Sequence, residues 1–271
     1  MRLSGFMILF FICFSLISHA ADKLIYGVNP YKTPKEIEAL QAELIHYLEQ
    51  KLGMEVVLVV SKDYDHLITL IEQGNVDIAS ISPKLFAKLR AKDTTNRYLA
   101  TFQFYNREQK RGSYNGLILT KANSTIHTIA DLKGKNFGFT DPDSTSGYFY
   151  PTLLMQQNGI VPKHDLSKVY MLKKHSKVIH ALLENSIDAG AVYDGVYWSL
   201  SEAERQQLRI IAMTEEIPYD AMIASKHLSP TLTQKIHDLL LTFHSDTTVG
   251  DGIVGFEEKP LFLYDRLNSL H

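Results

Sequence analysis

Thiol chemistry is nearly absent from this sequence, since Cys13 is the one cysteine among 271 residues. An internal disulfide is therefore excluded, and so is a multi-cysteine metal site. An excess of one charge is also missing: 28 basic residues face 30 acidic ones, for a net charge of -2. No footprint for nucleic acid or an anionic membrane follows from that balance. The longest apolar run, Phe6 to Ile17, covers 12 residues, short of the roughly 20 that span a bilayer. Neither a GxSxG elbow, a glycine-rich nucleotide loop nor an HExxH pair occurs, so nucleophilic hydrolysis, phosphoryl transfer and a metal centre all lack their signatures. No cofactor is expected. Internal repeats, low-complexity stretches and long linkers are missing as well. What remains, 45% hydrophobic and 21% charged residues, is ordinary globular composition.

At the N-terminus, Arg2, the apolar run and Ser18-His19-Ala20-Ala21 read as a secretory signal peptide over residues 1–20, cleaved after Ala20. Ile12 stands where a lipoprotein site has a small residue before its cysteine. The expected product is exported, soluble and, with Cys13 removed, free of thiols.

Beyond the leader, short apolar runs alternate with helix-period segments, which predicts an α/β protein. After the strand Lys23 to Val28, Thr33, Pro34 and Glu36 form a capping box with proline at the first helical position. Ile37, Leu40, Leu44, Tyr47 and Leu48 then repeat at three- and four-residue spacing, and Gly53 ends the helix. Val56 to Val60 is continuous and β-branched, as a strand covered on both faces would be. A helix over 67–72, a strand over 76–81 and a helix opened by Ser82-Pro83 complete βαβαβα, with a right-handed parallel sheet as the default. The pattern restarts at Leu117 and continues through strands near 136–140, 169–172, 187–192 and 209–212. Ala221 to Ala224 reads as a return strand, with helices near 231–243 and 259–270 packing back on the first unit. Two lobes follow: 21–105 with a return segment 218–271, and 106–217 between them, joined by short connections near 104–113 and 215–219.

The chemistry concentrates in Phe137 to Tyr148, where a strand runs into the hydroxyl-rich stretch Asp141-Pro142-Asp143-Ser144-Thr145-Ser146-Gly147 and then a helix. Three consecutive hydroxyls and the unpaired amides of a helix start can converge on one oxyanion, and the helix dipole favours that charge. A plain helix cap at Ser144 or Ser146 fits the same residues. Pro151 lies too deep for a helix begun at Ser144, which predicts a late or kinked start. His175 opens one helix and Asp194 follows the next strand, both near strand C-terminal ends, where open α/β sheets bind ligands. His175 could donate to an oxyanion and Asp194 could accept from a protonated oxygen or an amine; taken as isolated residues, a capping histidine and a solvated aspartate are the commoner reading. Tyr197 and Trp198 suit a pocket wall or a core, and His46, His66, His164 and His227 read as surface residues.

These residues resemble the phosphonate-binding type of periplasmic solute-binding proteins that serve ABC transporters. The resemblance lies in Asp131-Leu132-Lys133-Gly134-Lys135 leading to Phe139, Asp141-Pro142, Ser144-Thr145-Ser146-Gly147-Tyr148 and Pro151. It continues through His175, Ala181, Asp188-Ala189-Gly190-Ala191-Val192, Asp194 and Ile217-Pro218, and takes in Gly74 to Ala79 and Pro83. The resemblance implies a two-lobed, type II periplasmic flytrap that closes on a ligand in its cleft. Ser144, Thr145 and Ser146 would hold a phosphorus oxyanion, a phosphonate, phosphite or phosphate. His175 and Asp194 would meet its remaining face or substituent, and Tyr31 and the Ser82 turn would contribute from the first lobe. The partner implied is an inner-membrane ABC permease, and the protein would be a periplasmic monomer that catalyses nothing. The chain departs from the pattern at Ser82, Phe86 and Gly116, where the family commonly has glycine, tyrosine and a hydroxyl residue. Two alternatives stand beside this reading: a ligand sensor for a membrane kinase or chemoreceptor, and a secreted phosphate-ester enzyme with His175 as base and Asp194 orienting it.

Overall fold

The computed structural model describes residues 23–106, 109–245 and 252–268, so the expected signal peptide over residues 1–20, with Cys13, lies outside the described residues. The chain opens β1 (Lys23–Val28), α1 (Pro34–Leu52), β2 (Glu55–Val60), α2 (Tyr64–Glu72), β3 (Ile78–Ile81) and α3 (Pro83–Lys92). The predicted capping box closes α1: Glu36 N–H donates to Thr33 Oγ1 at 3.4 Å, and Thr33 N–H donates to Glu36 Oε2 at 2.8 Å. Gly53 ends the helix in the left-handed region, φ +71°, which a residue without Cβ adopts freely. The strands β1, β2 and β3 pair in parallel, as βαβ crossovers require.

The first sheet is completed by antiparallel β4 (Arg97–Asn106), β5 (Gln109–Arg111), β11 (Ala221–Ala224) and β12 (Ile253–Glu257). Its order is β12-β4-β11-β3-β1-β2, with β5 on β4. One apolar layer joins α1 to the sheet through Leu24, Tyr26, Leu44 and Leu48, while Leu67, Ile71, Leu85 and Phe86 of α2 and α3 cover the opposite face. Burying each such side chain contributes about 1.5–3 kcal/mol. β2 corrects the expectation of a strand covered on both faces. It ends the sheet order, and of Val56 to Val60 only Val56 is buried, because among the described residues no strand lies beyond it.

The second sheet runs β10-β6-β9-β7-β8, from β6 (Ser113–Lys121), β7 (Asn136–Phe139), β8 (Lys168–Met171), β9 (Ala189–Tyr193) and β10 (Leu208–Pro218). Its helices are α4 (Tyr150–Gln157), α5 (Pro162–Asp165), α6 (His175–Leu183), α7 (Asp194–Trp198) and α8 (Glu202–Arg205). The strand β10 outruns its predicted end at residue 212 and takes in most of the expected connection, pairing with β6 as far as Pro218 opposite Ser113. The two crossings between sheets run side by side, with Tyr219 N–H donating to Gly112 O at 3.0 Å. Pairing of β5 with β4 keeps the chain in the first sheet through Arg111.

After β11 come α9 (Pro230–Thr242) and a short α10 (Phe262–Asp265) with a 3₁₀ turn over Arg266–Asn268. The long helix expected over 259–270 is therefore two short pieces among the described residues, and Pro260 stands just before them. β12 was not predicted: five residues with a central glycine carry too little periodicity. Among the described residues no helix is long and apolar enough to cross a membrane. The architecture is the two-lobed α/β fold expected from the sequence.

Candidate functional site

A cavity of about 380 Å³ lies between the two sheets. On the second-lobe side its wall is built by the loop that leaves β7. Residues 140–147 fold back on themselves: Thr140 N–H donates to Gly147 O at 3.1 Å, and Ser144 N–H donates to Asp141 O at 2.9 Å. Only glycine fits at 147, since a Cβ there would stand 2.0 Å from Thr140 Oγ1. Thr145–Phe149 form one π-helical turn, and α4 begins only at Tyr150. Pro151 thus falls in the first turn of α4, where its missing N–H has no intrahelical partner to lose. The late helix start predicted from that proline is what the chain adopts.

Ser144, Thr145 and Ser146 are all buried and line the cavity. Ser144 is also the cap: its Oγ accepts from Gly147 N–H at 3.1 Å, which leaves the hydroxyl proton free to donate elsewhere. Capping and ligand contact are therefore compatible at this residue.

His175 opens α6 and reaches the same cavity. Its Nδ1 accepts from Tyr193 N–H at 3.2 Å, so Nε2 carries the proton of the neutral ring. Burial holds the imidazole pKa down at about 3, and the charge of Lys32 acts in the same direction. The ring is thus a neutral donor across the physiological range. Asp194, the first residue of α7, is buried, but the cavity wall here is made by its neighbours Tyr193 and Gly195.

The first lobe faces these groups with Tyr31 and Ser82, both on the cavity wall. Ser82 stands at the N-cap of α3 as predicted, yet its hydroxyl makes no capping bond. Its Oγ is buried and makes no hydrogen bond among the described residues. Sequence reasoning missed Asn29, Tyr64, Ser80, Tyr114 and Asp220, which also line the cavity. Asn29 Oδ1 accepts from Ser82 N–H at 3.1 Å. The Tyr64 side chain interacts with Ser144 and Asn29, and that of Tyr114 with Ser146. Burial pushes the Asp220 carboxyl up to about 7, against the pull of Ser80. Asn29 directly follows β1 and Ser80 lies in β3, so strand C-terminal ends offered a signal for these two. Asp220 sits in the two-residue crossing before β11 and belongs to no motif.

Much of the rest of the wall is aromatic, interrupted by Gln41, Ser199 and Arg205. Tyr219 stands 4.6 Å from Phe104 and 4.8 Å from Tyr114, ring centre to ring centre, and His175 stands 4.9 Å from Tyr193. Trp198 lines the cavity whereas Tyr197 packs in the second-lobe core, so the aromatic pair divides between the two roles. Two departures from the family pattern also find physical reasons. Phe86 is wholly buried against Tyr98 and Tyr264, away from the cavity. At Gly116 a Cβ would stand 2.9 Å from Thr214 Cγ2 and 3.2 Å from Ser146 O, so glycine lets the hydroxyl loop approach β6.

Comparison with known proteins agrees with this fold. The sequence profile of a family described as "ABC transporter, phosphonate, periplasmic substrate-binding protein" matches residues 26–258. The phosphate-import protein PhnD of Mycolicibacterium smegmatis is 24% identical over 249 residues, covering 88% of this chain and 75% of the relative. PhnD1 of Prochlorococcus marinus, solved in complex with methylphosphonate, superposes with a TM-score of 0.79 at 16% identity, covering 92% of this chain and 96% of that one; at that identity the likeness speaks for the fold. The tetrathionate sensor histidine kinase TtrS of Salmonella typhimurium is 26% identical over 147 residues, 54% of this chain and 24% of the kinase. The profile match spans nearly all of the described chain, and the protein belongs to the family of periplasmic substrate-binding proteins of phosphonate ABC transporters.

Proposed function

We propose that this protein captures a small phosphorus oxyanion, a phosphonate, phosphite or phosphate, in the cavity between its lobes. The closed form is then presented to an ABC permease in the inner membrane. The observation that carries the reading is the set of neutral donors on one wall: the hydroxyls of Ser144, Thr145 and Ser146 together with Nε2–H of His175. Preorganised neutral dipoles hold an anion without placing a fixed counter-charge beside it. The two lobes move about the paired crossings, and ligand contacts to both sides shift the open–closed equilibrium. A cavity of about 380 Å³ leaves room for a substituent beyond the oxyanion, met by the aromatic wall, Tyr31, Ser82 and Asp220. Asp194 shapes that end through the Tyr193–Gly195 turn. The protein works as a monomer after the leader is cleaved behind Ala20, and it returns its ligand unchanged.

A thermal-shift screen of the ligand-stripped protein against phosphate, phosphite, methylphosphonate, aminoethylphosphonate and sulfate, with carboxylates as controls, tests this. A ligand at 100 times its Kd stabilises by about 2.7 kcal/mol, a shift of a few degrees. A selective shift with one phosphorus oxyanion supports the reading; no shift with any of them removes the ligand class. A second reading, ligand sensing for a membrane kinase, is favoured by the similarity to the sensor TtrS over 147 residues. Neighbouring genes for a permease and ATPase, or for a kinase, separate the two.

A further inference from the structure

Helix α3 of the first lobe bears on the hydroxyl loop of the second at three points. Its second residue, Lys84, donates its main-chain N–H to Thr145 Oγ1 at 2.9 Å. The Lys84 side chain lies over the Phe149 ring, Nζ 4.1 Å from the centroid, and donates to Leu267 O at 2.6 Å. One turn on, Lys88 Nζ donates to Asp143 Oδ1 and Oδ2 at 3.2 and 3.0 Å and to Asp65 Oδ1 at 2.7 Å. Lys84 and Lys88 are four residues apart and share one helix face.

We propose that this face of α3 is an interlobe clamp: engaging Asp143 and Thr145, it favours the closed cleft and orients the Thr145 hydroxyl toward the ligand. The second half of the statement rests on the reading of Thr145 as an oxyanion contact. The amide of Lys84 belongs to the first helical turn and has no intrahelical acceptor, so Thr145 Oγ1 satisfies it only when the lobes meet. With that N–H on the hydroxyl oxygen, the hydroxyl proton is left to point into the cavity. Charge works in the same direction. Asp141 and Asp143 precede the hydroxyls, and both would repel an incoming anion. Lys173 Nζ neutralises Asp141 from within the second lobe at 3.0 Å. Asp143 receives its counter-charge from across the cleft, from a lysine already held in place by Asp65 of its own lobe. Opening strips Asp143 of that partner; closing restores it just where the anion binds.

The test is the distribution of distances between nitroxide labels on Glu38→Cys in α1 and Lys163→Cys in α5, feasible because no cysteine occurs after Cys13. It is measured by pulsed electron resonance without ligand and with saturating methylphosphonate. Lys88→Glu should lower the closed-to-open ratio by about three- to tenfold in both conditions, and adding Asp143→Lys should restore it. Thr145→Val should lower it in the ligand-free protein, where lost ligand contact plays no part. Equal ratios in wild type, Lys88→Glu and the charge swap overturn the clamp. If methylphosphonate leaves the wild-type distribution unmoved, the ligand reading fails, while the ligand-free comparison still decides the clamp.

Discussion

The two walls of the cleft are built in opposite ways. On the second-lobe side a single loop of contiguous residues supplies three hydroxyls, closed on itself by Thr140, Ser144 and Gly147, with one histidine added from α6. On the first-lobe side Asn29, Tyr31, Ser80, Ser82 and Asp220 come from three separate stretches of chain and meet only in the folded protein. A contiguous loop preorganises its donors through its own backbone bonds, so it suits the invariant part of a ligand class. A dispersed wall can change one residue at a time without unmaking its neighbours, so it suits the variable part. The proposed division is oxyanion on one side and substituent on the other.

The largest effect should come from breaking the loop's closure. Gly147→Ala forces a Cβ against Thr140 and Ser144. It should cost about 1–3 kcal/mol of stability by overpacking and weaken methylphosphonate binding more than about a hundredfold. Calorimetric titration with thermal unfolding checks both, and unchanged affinity would contradict the account of the loop. Next comes Ser146→Ala, which removes one charge-assisted donor worth about 1.5–3 kcal/mol, or roughly a ten- to hundredfold loss of affinity. That loss should be similar for phosphate, phosphite and methylphosphonate, and a loss confined to one of them would refute a shared oxyanion seat.

Asp220 sharpens the comparison from the other wall. Its carboxyl pKa rises on folding to about 7, chiefly through burial. The folded state therefore holds this proton more tightly than the unfolded one. The stability it contributes is complete below the unfolded carboxyl pKa and lost as pH rises through about 7. Relative to wild type, Asp220→Asn should gain in melting temperature from pH 4 to pH 7 and level off above, and a constant difference between the two melting curves would be evidence against the raised pKa. Methylphosphonate binding should weaken above pH 7 in wild type, as a second negative charge appears, and lose that slope in the variant. The smallest effect is expected for Ser82→Ala, about threefold or less for phosphate, with a larger change for ligands that carry a substituent. Isothermal titration of both ligand types decides, and equal losses would erase the proposed division between walls.

Much of this was legible in the residues themselves. The capping box at Thr33, the stop at Gly53, the β-branched runs and the return strand Ala221–Ala224 all follow from local propensity and periodicity, which act over a few neighbouring residues. The hydroxyl loop and the displaced helix start at Pro151 were legible for the same reason. Less legible were β12, the full length of β10 and the edge position of β2, because pairing partners far away in sequence set a strand's extent and burial. The first-lobe wall, the tautomer of His175 and the raised pKa of Asp220 required the fold, since each arises from groups brought together across the chain. The order of residues alone sets the α/β alternation and the hydroxyl loop with its glycine. Which scattered side chains face that loop, and which lysines reach across to it, emerge only on folding, because long-range convergence leaves no mark in the order of residues.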